Sequence, residues 1–82
     1  MEDTQILNTV LMQNESWLQT WNTDLYQCRY NRILATQRSD NEEYARLGIQ
    51  LEEIEYRINK AKVIIAFIKE RRREQFFKDI AV

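Results

Sequence analysis

An 82-residue chain with one cysteine (Cys28) and no histidine has room for a single domain, 1–82, and for neither an internal disulfide nor a Cys/His zinc site. No proline and one glycine (Gly48) leave almost no turn vocabulary, so the composition favours helix throughout. The net charge of −1 argues against a generally basic nucleic-acid coat, and a chain this short buries only ~60% of its unfolded surface, so its core is marginal without a staple or a partner.

The chain begins with Glu2 and Asp3, where a signal peptide would be positively charged. Its longest apolar run, Val63 to Ile68, is far below the ~20 residues of a membrane helix. A cytoplasmic setting with no membrane contact is the expectation, and the sequon Asn14-Glu15-Ser16 is then a chance match.

Asp3 or Thr4 is placed to cap a first helix, about 4–36. Its apolar seam reads Leu7, Leu11, Leu18, Trp21, Leu25 and Cys28, with Asn14 as a polar interruption and Arg32 and Ala35 continuing the register. Thr20, Asn22, Thr23 and Asp24 are poor helix-interior residues, and Asp24 with Gln27 resembles a capping box, so a kink or break belongs there if anywhere. A lone polar seam residue such as Asn14 often fixes register or oligomer state. Cys28, on the seam, reads as a buried, inert thiol.

Gln37 to Asn41 is the loop. Ser39 with Glu42 and Asp40 with Glu43 both have capping-box spacing, so a second helix starts here and runs to about residue 78. A connection this short makes the helices antiparallel neighbours. The second seam is Tyr44, Leu47, Leu51, Ile54, Ile58, Ala61, Ile65 and Ile68, at alternating steps of three and four. Folding at Ser39 sets Ala61 opposite Leu18, Ile58 opposite Trp21 and Ile65 near Asn14. Glu42–Arg46, Glu53–Arg57 and Glu74–Lys78 have the favourable i,i+4 order. Gly48 marks either a close helix approach or a tolerated weakness.

The second helix has another apolar line. Farthest from the seam stand Ile49, Tyr56, Val63, Glu70 and Phe77, with Phe67 beside them and Ile64 on the flank. In a simple hairpin these positions face water and should be polar, whereas the first helix keeps Thr9, Ser16 and Thr23 outside before Tyr30. The expectation is a homodimer or tetramer forming a helical bundle, with Ile49, Tyr56, Val63, Phe67 and Phe77 at the interface. Charge is divided along the same helix. Asp40, Glu42, Glu43, Glu52, Glu53 and Glu55 stand against Arg46, then Arg57, Lys60, Lys62, Lys69, Arg71, Arg72 and Arg73 against Glu70. Antiparallel pairing across a two-fold axis near Val63 sets Ile49 on Phe77, Tyr56 on Glu70, Glu53 against Arg73 and Glu55 against Arg71. The helix macrodipole favours the same order of charge without any partner.

Trp17, Tyr30, Arg71, Arg73, Phe76, Phe77 and Ile80 are the candidates for binding a further protein. The basic segment 57–73 could instead neutralise phosphates in a nucleic-acid-binding homodimer, but Glu70 interrupts it and consecutive arginines point different ways around a helix. An all-helical enzyme with an Arg/Lys/Glu site in a bundle core is the weaker alternative: there is no glycine-rich loop, no Ser–His or Cys–His pair, and the seam-register charges Arg32 and Arg72 fall at opposite ends of the hairpin. No cofactor or metal is implied. The sequence reads as an all-α antiparallel helical hairpin that serves as a small non-catalytic interaction protein: an adaptor, inhibitor or assembly factor.

Overall fold

The computed structural model describes residues 3–81 as two helices, α1 (Asp3–Gln37) and α2 (Asn41–Ala81). They pack antiparallel: Cys28 meets Leu47 near the turn, and Leu11, far from it, packs on Ile65 and Ile68. The molecule measures 65 × 21 × 14 Å, and its radius of gyration is 18.6 Å, against ~12 Å for a compact domain of this length. The expected helical hairpin is the fold, and among the described residues no helix is long and apolar enough to cross a membrane.

The turn is built from backbone hydrogen bonds that satisfy both helix ends at once. The N–H of Asp40 donates to the carbonyl of Ala35 at 2.9 Å and that of Ser39 to Thr36 at 3.1 Å, the paired closure of a Schellman motif. Ser39 occupies the left-handed position with φ 55°, which normally calls for glycine. Asp40 then caps α2: its Oδ1 accepts from the N–H of Glu43 at 3.1 Å, and its carbonyl accepts from Tyr44. Of the two capping-box spacings, the Asp40–Glu43 one forms the cap, because Ser39 is already used in closing α1.

The suspected break at 20–24 is absent: α1 is continuous through it. The Thr20 and Thr23 hydroxyls donate to the carbonyls of Ser16 and Gln19 at 3.3 and 3.2 Å, so these side chains bond back into the helix instead of ending it. α2 runs past residue 78 to Ala81, with no proline or glycine to stop it and Gln75 donating to Asp79 at 3.3 Å. Glu53–Arg57 forms at 2.7 Å as expected. Arg46 pairs with Glu43, three residues back, and not with Glu42. Glu74–Lys78 is not among the ion pairs of the described residues.

Two substitutions test this turn. Ser39→Gly relieves a left-handed L-residue at a cost of about 1 kcal/mol and raises the melting temperature by roughly 4–8 °C. Asp40→Ala removes the cap and lowers it by a similar amount. Thermal melts followed by far-ultraviolet circular dichroism read both. A Ser39→Gly variant that melts lower than the parent would remove this account of the turn.

Candidate interaction surface

The buried seam follows the sequence pattern closely, and it falls into two clusters. The cluster nearer the turn holds Cys28, Ala35, Leu47, Ile54 and Ile58, with Trp21, Leu25 and Leu51 packed on it. The distal cluster holds Leu11, Ile65 and Ile68, with Leu7, Val10 and Ile64 beside it. Leu18 touches both. Between them lies the layer of Asn14 and Ala61, both buried, where one side chain is polar and the other small. A recess of about 620 Å³ opens over that layer, lined by Trp17, Trp21, Tyr56, Lys60 and Ile64. The groove between the helices is therefore left open on this side of Ala61.

Asn14 is 4% exposed. Its Nδ2 donates to the carbonyl of Val10, in its own helix, at 2.9 Å. The bond stays within α1, so the register-setting role expected for Asn14 has no cross-helix hydrogen bond behind it here. The polar contacts that do cross the seam cluster toward the turn. The Cys28 thiol, buried as expected, donates to the Leu47 carbonyl at 3.3 Å. Arg32 Nε donates to the Tyr44 carbonyl at 3.4 Å, and its guanidinium stacks over the Tyr44 ring at 4.0 Å. Gly48 makes room for this side chain: a Cβ there would stand 2.9 Å from Arg32 Nη2. Gly48 thus marks a close approach of an arginine, not of the helix backbones. Arg29 and Glu55 form the one inter-helix ion pair among the described residues, at 3.7 Å.

The outward line of α2 is exposed along its length. Ile49 is 71% accessible, Tyr56 and Val63 68%, Phe67 61% and Phe77 60%. Trp17 is half-exposed at the rim of the recess, its ring 6.0 Å from that of Trp21. Tyr30 is exposed on the other helix, away from this line. From Lys69 to Ile80 every residue of α2 is exposed. Phe76 and Phe77 stack edge-to-face at 5.9 Å, with Ile80 exposed beyond them. Phe76, Arg71 and Arg72 border the first turns of α1 at Asp3, Thr4 and Leu7.

α1 is less polar outside than the sequence reading had it. Met12, Tyr26 and Ile33 are all well exposed, on one seven-residue line that Gln19 interrupts. The signal was present at heptad spacing three positions along from the Thr9, Ser16 and Thr23 line.

The basic residues are spread around the helix: Arg57 is held by Glu53 and Arg73 by Glu70 at 3.6 Å, while Arg71 and Arg72 lie toward α1. At the other end the Arg46 guanidinium, hydrogen-bonded to Glu43, holds that carboxyl below its ordinary value, and the same contact raises Arg46. A lowered carboxyl supports the fold above its unfolded value, and that support is lost as pH falls through the lowered one. Arg32 and Arg72 stay at opposite ends, one by Tyr44 and the other by Leu7. Among the described residues, no three or more His, Cys, Asp or Glu side chains gather where they could hold a metal ion.

Asn14→Leu leaves no orphaned group, because the Val10 carbonyl remains inside the helical ladder. It should raise the melting temperature, by roughly 4–8 °C for a gain of about 1 kcal/mol; a lower value would show that Asn14 has a partner the hairpin alone lacks. Gly48→Ala and Arg32→Ala should be non-additive by about 0.5 kcal/mol or more. The alanine gains helix propensity freely only when Arg32 is truncated, and denaturant titration of the four proteins measures the coupling. Compared with models of known protein families, with curated proteins and with solved structures, the chain matches none.

Proposed function

We propose that this chain is a small, non-catalytic protein–protein interaction module that works as a self-associated helical bundle, with α2 central and α1 peripheral. The observation that carries the reading is the exposed line Ile49, Tyr56, Val63 and Phe67, opposite the seam that α2 buries against α1. Single exposed apolar residues are ordinary, but a line of them along one helix marks a contact surface.

Surface area supports this. A folded monomer of 10.0 kDa exposes ~5,200 Å² by the usual scaling, and the hairpin exposes 6756 Å². The excess of ~1,500 Å² per chain, covered in a pair, falls in the range of permanent homodimer interfaces. In such an assembly the Phe76, Phe77 and Ile80 end of α2 offers an apolar segment to a further protein, the arrangement an adaptor, inhibitor or assembly factor needs.

Light scattering on a size-exclusion column tests the association. The chain should elute with the mass of at least two copies at micromolar concentration. Val63→Glu combined with Phe67→Glu should give a monomer of unchanged helical circular dichroism. A parent chain that stays monomeric would end the proposal.

A further inference from the structure

Building on that proposed self-association, we infer that the occupant of the outward face of α2 is the same face of a second copy, antiparallel, with the two-fold axis at Tyr56. Two observations fix the register. The first is which charges are already engaged. A two-fold near Val63 relies on Glu53, Glu55 and Arg73. Each of these has a partner inside its own hairpin: Glu53 with Arg57, Glu55 with Arg29, and Arg73 with Glu70. That axis also sets Arg57 against Lys69 and Glu52 against Glu74, like on like.

The second observation is what the exposed line itself carries. Glu52 and Lys60 are exposed on either side of Tyr56 and enter none of the ion pairs among the described residues. A two-fold at Tyr56 sets Glu52 of each copy against Lys60 of the other, twice. The same operation lays Ile49 on Val63, Ala45 on Phe67 and Tyr56 on its own copy, so the exposed apolar residues cover each other. At the scale of the helix it brings the acidic stretch 41–55 over the basic stretch 57–71. A self-complementary two-fold surface requires this. One like pair, Glu42 against Glu70, remains toward the ends.

The axis has a consequence for the end of α2. Residues 41–71 overlap their copies, a length of ~46 Å, and the remainder projects past the partner's turn. Phe77 then leaves the self-interface and stands with Phe76 and Ile80 as the free segment.

Cysteine cross-linking of the full chain, in a Cys28→Ala background, reads the register. Tyr56→Cys should give a covalent dimer under mild oxidation. Ile49→Cys and Val63→Cys should each stay uncoupled alone and couple when the two proteins are mixed. Separately, Glu52→Lys or Lys60→Glu should weaken the dimer by about ten-fold, and the two combined in one chain should restore it, whereas Phe77→Glu should leave it intact. A dimer that couples through Val63→Cys alone, fails to couple through Tyr56→Cys, or dissociates on Phe77→Glu overturns this register and leaves self-association standing. A monomer in light scattering overturns both.

Discussion

Two helices packed side by side can bury only one stripe of each, and the rest of this structure follows from that limit. The stripe is well used: from Leu47 to Ile68 almost every seam position of α2 is buried against α1. Nothing within the hairpin is left to cover Ile49, Tyr56, Val63 and Phe67, which stand on the other side of the same helix. The shortage is geometric and no choice of core residues would cure it. A third helix could; the described residues form two.

In the middle of the hairpin the seam carries one polar residue and one small one, both buried. Asn14 gains its hydrogen bond from its own helix, and Ala61 contributes little area, so the two clusters communicate chiefly through Leu18. The end near the turn is better tied. There the Schellman closure, the Asp40 cap, the Cys28–Leu47 contact and the Arg32–Tyr44 stack all lie within the last three turns of α1 and the first two of α2. Exchange of backbone amides with solvent should therefore be slowest near the turn and fastest beyond Ile68, where α2 has no apolar support.

The seam was legible because burial imposes a period, and the period survives in the residue types. Tyr44 is the instructive exception. It holds a seam position yet stays exposed, since the Arg32 guanidinium takes the place an apolar partner would fill. What could not be read was any choice between two local solutions of similar energy. Ser39 and Asp40 both offered caps, and which one serves depends on the left-handed turn at Ser39. Arg46 was paired with Glu42 by its i,i+4 spacing, yet Glu43 at i,i+3 is equally within helical reach and takes it. Thr20 and Thr23 looked like breakers because their hydroxyls compete with the backbone; in a helix held by Leu18, Trp21 and Leu25 the same hydroxyls bond back to it. The recess beside Asn14 was out of reach of periodicity, which orders residues along a seam and says nothing of how their volumes fill it.

The charge division of α2 has two physical explanations, and position along the helix separates them. Acids in a first turn and bases in a last turn answer the macrodipole, as Glu42, Glu43 and Lys78 do. That influence fades within about a turn of each end. Glu52 lies about three turns inside the start of α2, and Lys60 lies well short of its end. The change of sign falls between Glu55 and Arg57, deep in the helix and centred on an exposed tyrosine. A dipole argument has no term that acts there. Local ion pairing accounts for Glu53 with Arg57 and for Glu55 with Arg29, but leaves Glu52 and Lys60 without a partner among the described residues. Opposite charges placed evenly about one exposed ring, between Ile49 and Val63, form a pattern that a single hairpin does not use and that its own two-fold copy would.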